Sequence, residues 1–160
     1  GASLTAAIYL KRHRLPVLPY ADVFIFGFFH AWVIGRLGCA LVHDHPGRLT
    51  DFFLAVKFPD GPRHDLGLYE FLLCAFWIPL VRYLGRRNSL TSPPPGTMLA
   101  IMGIAYAVPR FFLDTLRATD LPYHDARYFD LTFAQYACIV CVLLAARILT
   151  QLSPLRHPPP

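Results

Sequence analysis

A chain of 160 residues that is 55% hydrophobic, 14% aromatic and only 16% charged departs from soluble domains, in which about 25% of residues are charged. Its mean hydropathy of +0.41 excludes a disordered chain and a water-solvated bundle, and points to a polytopic membrane protein. The net charge of +5 contains no basic block long enough for nucleic-acid binding, and four cysteines in so apolar a chain do not make a disulfide framework.

Residues 1–10 are mostly apolar and run into Lys11-Arg12-His13-Arg14. A secretory signal carries its positive charge before the apolar run, so the order excludes one. Ten residues reach only about 15 Å as helix, half a bilayer. They read as the closing half of a transmembrane helix, and the sequence reads as truncated at its N-terminus. Four full spans follow. Residues 21–42 are apolar apart from Asp22 and Arg36; residues 66–81 enter with Tyr69-Glu70; residues 97–116 contain Arg110 and Asp114; residues 131–146 carry no charge. The breakers lie between them: Pro16 and Pro19, then Pro46, Pro59 and Pro62, then Pro93-Pro94-Pro95-Gly96, then Pro122. The expected fold is all-α: one membrane domain over 1–160, with four full transmembrane helices and a partial N-terminal one.

Charge sets the topology. The segments 11–20, 82–96 and 147–160 hold eight basic residues and no acid, whereas 43–65 and 117–130 hold five basic residues and seven acids. The positive-inside rule makes the first set cytoplasmic and the two acidic loops periplasmic.

Charge inside the spans is costly, about 2.5–3.5 kcal/mol per residue on insertion scales, and marks function or pairing. Arg36 lies six residues before Val42 and Arg110 six before Leu116, so both sit about 9 Å inside the periplasmic end. Tyr106, Arg110, Asp114 and Arg117 follow i, i+4, i+8, i+11 along one helix face. Glu70 opens its helix on the same side, and Asp44 follows the end of the Arg36 helix. Two readings fit: an ion-pair network that holds the bundle together, or a site for an anion at that depth, such as a phospholipid phosphate held by guanidinium forks. Pro109 removes a backbone hydrogen bond and is expected to kink the helix beside a cavity.

Three motifs resemble those of the prolipoprotein diacylglyceryl transferases. Gly35-Arg36-Leu37-Gly38-Cys39, followed by Asp44 and Gly47-Arg48, is similar to a G-R-x-G-N/C, acid, G-R signature. His64-x-x-x-x-Tyr69-Glu70 resembles an H-P-S-Q-L-Y-E segment. Tyr106-x-x-x-Arg110-x-x-x-Asp114-x-x-Arg117-x-x-Asp120 resembles Y-G-x-x-R-x-x-x-E-x-x-R-x-P-D, and Gln135 matches a glutamine of the last helix. The ordered set covers residues 35 to 135.

The resemblance implies transfer of the diacylglyceryl group of phosphatidylglycerol to the lipobox cysteine of a prolipoprotein signal peptide. A thioether forms, glycerol phosphate leaves, and the protein resides in a bacterial inner membrane with its site facing the periplasm. It implies that Arg36 and Arg110 are catalytic. It implies that Asp44, Gly47, Arg48, His64, Tyr69, Glu70, Tyr106, Asp114 and Arg117 bind substrate, with no cofactor and no metal. Departures are visible. Asp44 and Asp114 stand for glutamates, Cys39 for a frequent asparagine and Asp65 for a proline, and 43–65 is short. The family's catalytic histidine, in an H-G-G/A segment, would fall immediately before Gly1. A second reading is a non-catalytic relative that binds phospholipid or a lipoprotein precursor. A third, a transporter with an ion relay, predicts carboxylates through the full membrane depth, whereas these cluster at one end.

Cys138-x-x-Cys141 has redox spacing but sits among Ile, Val and Leu, where core packing is the expectation. His43, Asp44, His45 and His64 could bind a metal, yet two loop histidines two apart are poor evidence for one without further ligands, and a surface loop, or a thiol-facing base in place of the family's histidine, is the stronger expectation. His30, Trp32 and Trp77 read as bundle or interface residues.

Overall fold

The computed structural model describes residues 2–91, 93–122 and 125–152; Arg156 and positions 123–124 of the second acidic loop lie outside the described residues. Five helices carry the chain: α1 (Ala2–Arg12), α2 (Val17–Val42), α3 (Leu66–Thr91), α4 (Thr97–Thr115) and α5 (Phe133–Leu152). Among the described residues, α2, α3, α4 and α5 are long and apolar enough to cross a membrane. The protein is an all-α, multi-pass membrane protein in which the sheets are minor.

The helix ends differ from the sequence expectation for local reasons. The second helix starts at Val17 rather than 21, because Pro19 falls in its first turn, where a missing N–H costs nothing. The third continues past residue 81 to Thr91, carried by leucine and arginine, which are good helix formers. The fourth runs unbroken through Pro109. The fifth starts at Phe133, not 131, because Thr132 and Gln135 form a reciprocal cap: the Gln135 N–H donates to Thr132 Oγ1 at 3.2 Å, and the Thr132 N–H donates to Gln135 Oε1 at 3.0 Å.

Residues 43–65 are more than a loop. They form an antiparallel sheet, order β1-β3-β2, from β1 (Pro46–Leu49), β2 (Val56–Phe58) and β3 (Gly61–Asp65). Residues 117–130 close with the first strand of a small hairpin, β4 (Arg127–Tyr128) and β5 (Leu131–Thr132). Its turn residues Phe129 and Asp130 both have positive φ, 48° and 62°, as a type I′ turn requires.

The core sits where α2, α3 and α4 meet, at Phe29, Val81, Leu84, Met98 and Met102. Outward-facing Phe24, Phe76, Phe112 and Leu143 are 63–69% exposed, which suits a lipid solvent. At one end the Asp22 carboxylate, inside α2, accepts the backbone N–H groups of Gly96 and Leu99, both at 2.7 Å. It caps the start of α4, since Gly96, at φ 94°, has no side chain to do so. At the other end both acidic loops pack together. Gly47 bridges Arg117, the Arg48 N–H donates to the Leu116 carbonyl at 2.8 Å, and Arg63 reaches Asp120 at 2.5 Å.

Candidate active site

The arginines of α2 and α4 meet on one carboxylate. Glu70, 1% exposed, forms ion pairs with Arg36 Nη2 at 2.7 Å and with Arg110 Nε at 3.0 Å. The Tyr106 hydroxyl lies 3.4 Å from the same carboxylate. One turn along α4, Arg110 Nη1 donates to Asp114 at 2.8 Å, and Arg117 Nε donates to the same oxygen at 3.1 Å. The other Asp114 oxygen accepts the Thr132 hydroxyl. Arg117 Nη1 then reaches Asp125 at 2.6 Å. The i, i+4, i+8 spacing puts Tyr106, Arg110 and Asp114 on one face of α4, and the Thr132–Gln135 cap points a hydroxyl into that face. Gln135 Nε2 also donates to the Phe111 carbonyl at 3.2 Å, which ties α5 to α4.

Charge in this zone is matched in number but not in depth. Three guanidinium groups, of Arg36, Arg110 and Arg117, share two buried carboxylates, Glu70 and Asp114; the third acid, Asp125, is half exposed on its loop. Arg36 stacks on the Trp32 ring at 4.6 Å, and its buried Nε–H has no hydrogen-bond partner among the described residues. A buried donor left over on a cation favours an anionic acceptor. An apolar groove of about 650 Å³ runs between α2, α4 and α5. Its lining includes Phe28, Met102, Val140 and Leu144, and also Trp32 and Tyr106, which touch the arginine zone.

Other residues singled out in the sequence sit around this core. The His64 ring pairs with the Tyr69 hydroxyl at 2.9 Å, beside Phe52. Burial pushes the His64 pKa below its ordinary value, which favours the neutral ring. Asp44 does not meet an arginine of the cluster; its half-exposed carboxylate contacts His45. The Arg48 side chain is exposed, and it is the Arg48 backbone that joins the loops. Gly47 is required by close approach: a Cβ there would sit 2.6 Å from the Leu116 carbonyl oxygen and 2.8 Å from the His64 Cβ.

Sequence reasoning missed the residues that hold the loops in place. Arg63, 2% exposed, donates to Asp60, to Asp120 and to the Gly47 carbonyl at 2.9 Å. Its hydrogen bonds hold Asp60 and Asp120 below the ordinary carboxylate pKa. Asp65 accepts the Leu68 N–H at 3.1 Å, capping α3, and also contacts His43. Two of these signals were available: Asp65 three residues before Leu68, and the Thr132-x-x-Gln135 pattern. Arg63 offered none, since its partners are 3 and 57 residues away.

A family model of prolipoprotein diacylglyceryl transferase matches residues 1–151. The chain belongs to that family. A phosphatidylglycerol–prolipoprotein diacylglyceryl transferase of Chloroflexus aggregans is 30% identical over 143 residues, covering 76% of this chain and 47% of the relative. A protein of the same name from Chlorobaculum tepidum is 24% identical over 152 residues, covering 92% and 50%. One from Clostridium perfringens is 30% identical over 138 residues, covering 79% and 52%. The chain thus spans about half the length of the curated relatives it matches. No solved structure matches it. The segments that resemble the transferase family, around Arg36, Glu70 and Arg110, are those that converge on the Glu70 carboxylate.

Proposed function

We propose that this chain takes part in transferring the diacylglyceryl group of phosphatidylglycerol to the lipobox cysteine of a prolipoprotein. The observation that carries this is the arginine zone. Arg36 and Arg110 share the Glu70 carboxylate, and a buried Arg36 N–H is left without a hydrogen-bond partner among the described residues beside an apolar groove. A diacyl lipid has matching parts: acyl chains for the groove and a phosphate for the guanidinium groups.

In the reaction the cysteine sulfur forms a bond to a glyceryl carbon. The bond from that carbon to the phosphate oxygen breaks, and its electron pair leaves on glycerol phosphate. Arg36 and Arg110 stabilise the charge that grows on the phosphate. The same positive field favours loss of the thiol proton, whose ordinary pKa is about 8.5. Glu70 and Asp114 hold the two arginines, and Tyr106 and Arg117 support the carboxylates. His64, Tyr69 and Asp44 flank the zone on the loop side, while Gly47 and Arg48 act through their backbone. The charge distribution supports a bacterial inner-membrane protein whose arginine end faces the periplasm.

The test is transfer in membranes depleted of the host enzyme, with the protein expressed from its full reading frame. Phosphatidylglycerol and a lipobox peptide are supplied, and the thioether product is read by mass spectrometry. Arg36→Ala and Arg110→Ala should each lower transfer by about 10²–10³-fold while insertion is retained. Transfer that survives both changes overturns the assignment.

A further inference from the structure

The turn that leaves α2 collects a second set of donors on the loop side of the arginine zone. Cys39, Asp44 and His45 place a thiol sulfur, a carboxylate oxygen and an imidazole nitrogen within 4.8 Å of one another. The backbone explains how residues five and six apart reach one point. His43 adopts a left-handed conformation, φ 50°, and its N–H donates back to the Cys39 carbonyl, so the chain reverses over the last turn of the helix. The His43 side chain is engaged elsewhere, with Asp65. The Asp44 carboxylate and the His45 ring already touch.

We propose that Cys39, Asp44 and His45 form a binding site for a divalent transition metal of the zinc class. One soft sulfur, one imidazole and one carboxylate are the donor types such ions select. A tetrahedral ion with bonds of about 2.0–2.3 Å separates its donors by about 3.3–3.8 Å, so small side-chain rotations close the set. The fourth position is open. Asp44 and His45 border a cavity of about 210 Å³ together with Leu66, Arg117 and Asp125, which leaves room for a water. Because Cys39 lies one turn beyond Arg36, a bound ion fastens the end of α2 to its exit turn and steadies Arg36. This site lies beyond the transfer reading and does not depend on it.

The experiment uses the purified protein in detergent and titrates it with Co²⁺ alone. The expected result is one ion per chain, with a thiolate-to-cobalt charge-transfer band and tetrahedral visible bands that Zn²⁺ displaces. Cys39→Ser should abolish the charge-transfer band. Asp44→Asn, at a half-exposed position that tolerates the change, should weaken binding at least about tenfold. Cys141→Ala, on α5, should retain the full spectrum. The proposal is overturned if no saturable equimolar binding occurs, if the band survives in Cys39→Ser, or if Asp44→Asn binds as well as the unchanged protein. No transfer assay enters the readout, so loss of the transferase reading leaves the outcome unaffected.

Discussion

Glu70 is the most informative residue to change. Its side chain is 1% exposed and is shared by two guanidinium groups at 2.7 and 3.0 Å. Glu70→Gln keeps the shape and one acceptor oxygen but removes the charge, so Arg36 loses its carboxylate partner and Arg110 keeps only Asp114. Removing one partner of a buried ion pair costs about 3–5 kcal/mol, because the other is left uncompensated. For a chain of this size each kcal/mol lowers the melting temperature by about 2–4 °C, so a drop of about 6–20 °C follows. Thermal unfolding in neutral detergent, followed by circular dichroism, measures it. The same variant separates the two meanings of the cluster. If the zone receives a lipid phosphate, phosphatidylglycerol supplies the missing negative charge and should restore Glu70→Gln more than it stabilises the unchanged protein. Phosphatidylcholine should restore less. A melting temperature within about 2 °C of the unchanged protein refutes the buried-pair reasoning. A large drop that phosphatidylglycerol does not reverse refutes the anion site and leaves a structural network.

The loop-side clamp predicts a pH effect. Arg63 holds Asp60 and Asp120 below their ordinary pKa, so their contribution is present above the unfolded value of about 3.9 and is lost as pH falls through the lower folded value. Melting followed from pH 7 to pH 3 should show Arg63→Gln less stable at neutrality, with the gap closing below about pH 4; a constant gap would mean that the carboxylates are not the partners that matter. Asp22→Ala removes the acceptor of two N–H groups at the start of α4 and should cost about 1–3 kcal/mol. Hydrogen exchange at the Gly96 and Leu99 amides should accelerate while that of the α5 core stays slow, and unchanged exchange at those two amides would disprove the cap.

The helices were legible because a bilayer leaves little choice: apolar length alone identifies the spans, and proline clusters separate them. Arg36, Glu70, Arg110 and Asp114 were legible for the complementary reason, since a charge within such a span needs a partner or a task. The small sheet in 43–65 was not legible. Its strands are three to five residues long and carry Pro46 and Pro62, and what holds them is Arg63 and the backbone of Gly47 rather than an alternating pattern. Asp44 shows the opposite failure. Its position just past the end of the Arg36 helix suggested a place in an ion-pair network with the arginines, but the left-handed His43 turns the chain and Asp44 meets His45.

The geometry of the arginine zone is set from outside it. Arg36, Glu70 and Arg110 come from three helices, and the distances among them depend on how those helices are fastened at both ends. At one end Asp22 fixes α2 to the first turn of α4. At the other, Gly47 joins the strand after α2 to the residues after α4, and Arg63 joins the strand before α3 to Asp120. These fastenings tie α2 and α3 to α4 at or beyond the helix ends, where polar groups and backbone amides are available, and leave the mid-membrane surfaces apolar. A shift of about 1 Å is enough to spoil the orientation of a reacting group. Rigid ends therefore let three flexible arginine and glutamate side chains hold a fixed arrangement. On this reasoning Arg63 and Asp22 are positioning residues: changing either should alter transfer through the Arg36–Glu70–Arg110 geometry, although neither touches that carboxylate.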